Sequence, residues 1–97
     1  LRGVFATNDQ MALGAMEAVE ARKLRGKIAI IGFDATKEAA AAIVEGKLTG
    51  SVAQSPREMG RRGVLAAIEL AEGRTIEKLI DTGTEYVNAK NAPQYAK

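Results

Sequence analysis

Lys27-Ile28-Ala29-Ile30-Ile31-Gly32-Phe33-Asp34 passes through four apolar residues without a break and stops on a carboxylate. An antiparallel strand with one face in water alternates polar with apolar residues, whereas a parallel strand covered on both faces is continuously apolar. The run is too short for a helix, so it predicts a buried parallel strand. Asp34 then stands where the strand ends, and in open α/β sheets ligands bind in the crevice beyond the strands' carboxyl ends.

Toward the N-terminus, Gly3 to Ala6 predicts a short strand, and Thr7-Asn8-Asp9 supplies side chains that cap a helix. Ala12, Ala15, Met16 and Val19 recur at helical spacing and make one apolar stripe. Gly14 costs such a helix about 1 kcal/mol relative to alanine, which predicts that another backbone packs closely there. Toward the C-terminus, Thr36 caps a second predicted helix running to Glu45, with Ala40, Ile43 and Val44 facing inward and Gly46 as its stop. Leu48 to Gln54 reads as a third strand. Ser55-Pro56-Arg57-Glu58 then combines a cap, a proline at the first helical position and a glutamate placed to close a capping box. That helix runs to Glu72 with Gly60, Val64, Ala67, Ile68 and Ala71 as its apolar stripe, and Gly73 ends it. Leu79-Ile80-Asp81 and Tyr86-Val87-Asn88 predict two short strands on either side of Gly83, before a polar end containing Pro93. Strands alternating with helical crossovers predict an α/β fold, a parallel sheet flanked by helices.

A chain of 97 residues has room for a single modest core. Fourteen Lys and Arg against twelve Asp and Glu leave a net charge of +2, scattered without a basic stripe, so the composition does not point to nucleic acid. The chain has no cysteine and no histidine, which excludes thiol catalysis, disulfides, a Ser-His nucleophile and the usual transition-metal ligands. No apolar run approaches the roughly 20 residues that span a bilayer. The sequence opens on Leu1-Arg2-Gly3-Val4-Phe5, without methionine and already entering a strand, which predicts a piece of a longer polypeptide whose targeting signal lies upstream.

Three successive strands end on polar side chains: Asn8, Asp34 and Gln54. In a parallel sheet all carboxyl ends share one edge, so residues far apart in sequence converge there. A carboxylate accepts from two hydroxyls and each amide both donates and accepts, which matches a polyhydroxylated ligand. Each residue has a competing structural role. Asn8 and Asp9 lie where a helix cap belongs, and capping is the better reading for Asp9. Asp34 is freed from capping because Thr36 is better placed for it. Gln54, taken alone, is a loop residue ahead of a Ser-Pro helix start. Arg57, Arg61 and Arg62 read as a solvated helical face, and Met11 and Met16 as core.

The segments Phe5-Ala6-Thr7-Asn8-Asp9-Gln10-Met11-Ala12-Leu13-Gly14-Ala15, Ile31-Gly32-Phe33-Asp34, and Glu45-Gly46-Lys47-Leu48 leading to Val52-Ala53-Gln54-Ser55-Pro56 resemble, in order and spacing, the C-terminal third of ribose-type periplasmic sugar-binding proteins. Gly60, Gly63, Gly73 and Tyr86-Val87 fit the same pattern. In that family two doubly wound lobes close over one sugar, and the complex delivers it to an ABC importer in the membrane. The resemblance implies that Asn8, Asp34 and Gln54 hydrogen-bond the sugar from the C-terminal lobe. It implies no cofactor, no metal and no catalysis, with a monosaccharide and a membrane permease as partners, in the periplasm or on a surface lipoprotein. Galactose-type relatives tend to carry asparagine at the position of Gln54, so the glutamine implies ribose or another pentose. The resemblance also divides the chain: 1–54 belongs to the second lobe, 55–82 crosses to a first lobe missing from this chain, and 83–97 forms the C-terminal strand and tail.

The same fold and several of the same words occur in LacI-type repressor effector domains, the alternative from another functional class. Those usually carry a Pro-Leu-Thr-Thr segment before the third strand, where this chain has Glu45-Gly46-Lys47-Leu48-Thr49-Gly50. A flavodoxin-like enzyme finds less support, for lack of a Gly-rich phosphate loop or a nucleophile elbow.

Overall fold

A computed structural model describes residues 1–97. The elements run β1 (Gly3–Phe5), α1 (Asp9–Ala21), β2 (Ala29–Phe33), α2 (Lys37–Val44), β3 (Gly50–Gln54), α3 (Pro56–Ala71), β4 (Thr84–Val87) and α4 (Ala92–Tyr95). One four-stranded sheet takes the strands in chain order, with β1, β2 and β3 parallel. Phe5 pairs with Ile31, and Phe33 with Val52. By contact the chain divides into two compact units, residues 1–53 with 85–97, and residues 54–84.

In the first unit, β1, β2 and β3 lie side by side in chain order and α1 packs on α2, as right-handed crossovers that put both helices on one face require. That face holds the core. Ile30 from β2 and Ala53 from β3 meet Ala12 and Met16 of α1 and Ala39, Ala42 and Ile43 of α2, and Val87 and Ala92 close the far side as α4 packs on α2. The apolar run of β2 nevertheless alternates in exposure: Ile30 and Gly32 are buried, Ile31 and Phe33 only partly, and Ala29 is exposed. Continuous apolarity predicted cover on both faces; within the 97 residues the helices of this unit cover one.

The helix starts divide between expectation and correction. Asn8 caps α1 and Thr36 caps α2, each side-chain oxygen accepting a backbone N–H three residues on. Ser55 makes no such bond, and Glu58 turns instead to Arg61 and Arg62, so the capping box of α3 does not form. Both Glu58 oxygens are directed to the guanidinium groups, and neither takes a bond from the Ser55 N–H. Val44, expected inside, is exposed, while Ala39 and Ala42 are buried in its place. No strand forms at Leu79-Ile80-Asp81, and the last strand, read from sequence as Tyr86-Val87-Asn88, starts earlier, at Thr84, and ends at Val87. The polar end around Pro93 is helical, as Pro93 sits at the start of α4 where its missing N–H is harmless.

The two informative glycines are Gly14 and Gly32. Nothing lies within 4 Å of where a Gly14 side chain would be, so the close backbone approach expected there is absent. At Gly32 a methyl group would overlap the Asp9 carboxylate and crowd the Ala12 side chain.

In the second unit α3 buries none of its residues, and Met59, Val64, Leu65, Ile68 and Leu70 are all exposed. Ion pairs from Glu58 to Arg61 and Arg62 brace its first two turns. The Arg61 and Arg62 guanidinium groups hold the Glu58 carboxyl down at about 2.

Gly14→Ala therefore stabilises the protein by about 0.5 to 1 kcal/mol, and Gly32→Ala destabilises it by about 1 to 3 kcal/mol; urea denaturation reads both signs. Because Glu58 is depressed in the folded chain, its pairing is fully present above the ordinary carboxylate range and is lost as pH falls from about 4.5 toward about 2. Helicity of α3 followed by NMR should decline over that window in the wild-type chain, and Glu58→Gln should remove that part of the decline.

Candidate functional site

The parallel ladder determines where the polar strand ends lie. Ala6 N–H donates to Ile31 O and Asp34 N–H to Val52 O, 2.9 and 2.8 Å, extending the β1–β2 and β2–β3 pairings to the carboxyl edge. Past that edge come the predicted residues. Asn8 follows β1 as the cap of α1, partly buried, and its Oδ1 accepts from Met11 N at 2.9 Å. Capping occupies that oxygen, while the side-chain NH2 donates to nothing in the chain and remains available. Asp34 follows β2 directly. It is exposed, and no group of the chain bonds its carboxylate. Its backbone is left-handed, φ 111°, and so is that of Ala35, φ 54°. Gln54 is the last residue of β3, partly buried, and begins the second unit.

Beneath Asp34 lies a set of contacts that the sequence reading did not single out. Asp9, read as a cap, is instead the first residue of α1 and is buried to 1% exposure. Its Oδ2 accepts from Thr36 N at 2.6 Å and its Oδ1 from the Ser51 hydroxyl at 2.6 Å. Ser51, fully buried, in turn accepts from Ala35 N at 3.1 Å. Gly32 and Ser51 face each other in the β2–β3 register, and the absence of a side chain on Gly32 leaves the space the Asp9 carboxylate fills. The signal was present in the sequence: a glycine at an inward position of an otherwise bulky strand marks a close approach by another group.

Sizeable surface depressions lie elsewhere. One of 360 Å³, lined by Arg2, Lys27, Lys47 and Thr49 among others, is at the amino ends of the strands, the opposite edge of the sheet. Another, of 310 Å³, lies within the second unit between Arg61, Leu65, Glu69 and Ile80. Neither contains the strand-end residues.

Residues 1–75 match the family model described as periplasmic binding protein domain. The chain is 43% identical over 81 residues to the ribose import binding protein RbsB of Bacillus subtilis, covering 82% of this chain and 26% of that protein. It is 37% identical over 91 residues to the fructose import binding protein FruE of Bifidobacterium longum, covering 94% and 28%. Among solved structures, the glucose-galactose binding protein GanP of Geobacillus stearothermophilus superposes with a TM-score of 0.89 at 28% identity, over 96% of this chain and 33% of that one. A solute binding protein of Actinobacillus succinogenes with bound D-allose superposes at 0.85 with 27% identity, over 98% and 34%. The chain thus spans about a quarter to a third of the length of the proteins it matches.

The cap and the free amide make Asn8 separable by mutation. Asn8→Ala should cost about 1 kcal/mol of stability through the lost cap, whereas Asn8→Ser keeps a capping oxygen and should stay within a few tenths of wild type; thermal unfolding of the two variants side by side checks this.

Proposed function

We propose, from the premise that the chain belongs to the periplasmic binding protein family, that it supplies one wall of a monosaccharide site in a solute-binding component of an ABC sugar importer. The observation that carries the reading is Asp34: an exposed carboxylate with no partner in the chain, in left-handed backbone, at the carboxyl edge of a parallel sheet. A carboxylate so placed accepts from two neighbouring hydroxyls of one ligand, and the amides of Asn8 and Gln54 supply donors and further acceptors to the same polyol. We assign the three side chains to sugar binding and ribose or a similar pentose to the ligand. RbsB is named for ribose, and the glutamine at position 54 is what inclines the reading to a pentose. No catalytic role is assigned, and the place of action is the periplasm or the cell surface.

The second unit enters the same proposal. A helix whose Met59, Val64, Leu65 and Ile68 all face solvent loses the stabilisation of about 25 cal/mol per Å² that burial of apolar surface provides. The proposed whole protein recovers it by carrying residues 55–82 on the lobe opposite the one formed by residues 1–54, so that the chain passes between lobes after Gln54 and again near Gly83. The membrane permease is the proposed partner of the closed, sugar-bound form.

One wall of a cleft binds poorly. A hydrogen bond to a charged group contributes about 1.5 to 3 kcal/mol and a neutral one about 1 kcal/mol, against an association cost of about 4 to 15 kcal/mol. Nor is an aromatic ring offered beside Asp34, since Phe33 precedes it on β2 and points to the other side. Calorimetry on the 97-residue chain should accordingly detect no submillimolar sugar binding, and micromolar affinity would refute the one-wall reading. In the full gene product, Asp34→Ala should abolish sugar binding while circular dichroism and melting temperature stay near wild type; unchanged affinity removes Asp34 from the site.

A further inference from the structure

We infer that Asp9 and Ser51 are positioning residues for the Asp34 carboxylate, acting through the backbone of the loop that carries it and not by touching ligand. The inference rests on the reading of Asp34 as a ligand-binding group. Asp34 and Ala35 both occupy left-handed backbone, and neither is glycine. Residues held in such regions cost about 1 to 3 kcal/mol each and persist only where their surroundings over-determine them.

Three consecutive N–H groups supply that constraint. Asp34 N donates to Val52 O, Ala35 N to Ser51 Oγ, and Thr36 N to Asp9 Oδ2, while the Ser51 hydroxyl passes its own proton bond on to Asp9 Oδ1. Two of the three bonds converge on the Asp9 carboxylate, directly from Thr36 and through the Ser51 hydroxyl from Ala35, and that group, acceptor-only when ionised, takes one bond on each oxygen. Bonds to a buried charge are stronger than neutral ones, and the low local dielectric polarises them together. The carboxylate itself is held from behind, because it fills the space left by Gly32 and sits on the first turn of α1, where a negative charge faces the helix dipole favourably. Asp9 thus ties the start of α1, β3 and the β2–α2 loop at one point, directly under the residue that is to meet the ligand.

A purely structural role would show in stability alone, whereas a positioning role couples the pair to affinity beyond what stability explains. The test uses the full gene product that contains this sequence, with whichever of D-ribose, D-fructose and D-allose binds wild type most tightly as probe. Ser51→Ala and Asp9→Asn are each expected to weaken that sugar about tenfold or more and to speed amide exchange at Ala35 and Thr36, while the protein stays folded at the assay temperature. Ser51→Thr, which retains the hydroxyl, should restore most of the affinity. Ile43→Val removes buried volume remote from the loop and serves as the stability control: it should lower the melting temperature and leave affinity unchanged. If Asp34→Ala abolishes binding but Ser51→Ala and Asp9→Asn do not weaken it, or weaken it no more than Ile43→Val, the positioning inference falls and the site reading stands. If Asp34→Ala leaves affinity unchanged, or none of the three sugars binds wild type, the site reading falls and takes the inference with it. Should Asp9→Asn fail to fold, Ser51→Ala decides, since it deletes one buried hydroxyl and keeps the carboxylate.

Discussion

A single buried carboxylate, that of Asp9, is the point on which the edge of this sheet depends. Burying a charge is costly unless it is fully bonded, and here both oxygens are taken, one by a backbone N–H from the loop after β2 and one by a hydroxyl from β3. The partners are 27 and 42 residues away in sequence. Such an arrangement exists only once three separate segments have come together, so it reports on the assembled fold more than on any local propensity. It also explains why β2 carries a glycine between Ile31 and Phe33, where packing alone would favour a larger residue.

The parallel ladder and the Asp9 network divide the work at the site. Pairing of β1 with β2 and of β2 with β3 brings the strand ends to one edge, which is a matter of topology. The network then determines the path of the backbone after the strand ends, which is a matter of a few hydrogen bonds. Asp34 gains exposure and an unpartnered carboxylate by this route, because the groups that would otherwise compete for it are satisfied elsewhere: Thr36 caps α2, and Asp9 takes the loop's N–H. Asn8 caps α1 with its side-chain oxygen and leaves its side-chain nitrogen without a partner in the chain.

Much of this was legible in the sequence, and the failures have physical causes. The strand at β2, the cap at Thr36 and the helix stop at Gly46 are local signals and were read correctly, whereas cover on both faces of β2 and the choice of Asp9 over Asn8 as the cap of α1 were not. The capping box of α3 failed because Glu58 had two arginines in reach, an i+3 and i+4 competition that the cap pattern ignores. Leu79-Ile80-Asp81 has apolar residues but no strand, since strand formation needs a neighbouring edge that sequence alone does not reveal. Gly14 misled because a helical glycine with open space around it has no signature distinct from one in close contact. Asp9 was visible but misassigned: its type fits a cap, and only its long-range partners show that it is something else. The apolar stripe of α3 was legible as a helical pattern, but its exposure was not, because a sequence pattern shows which residues share a face and not what covers that face.

The central claim is that the Asp34 carboxylate, presented at the carboxyl edge of the parallel sheet, receives hydroxyl groups of a sugar. A crystal structure of the full gene product with its bound monosaccharide tests it most directly. The account predicts two sugar hydroxyls within hydrogen-bonding distance of the Asp34 oxygens, roughly 2.5 to 3.0 Å, with Asp9 still buried beneath the loop and out of contact with the ligand. A sugar seated at the amino ends of the strands, or one that leaves Asp34 facing only water, would contradict it.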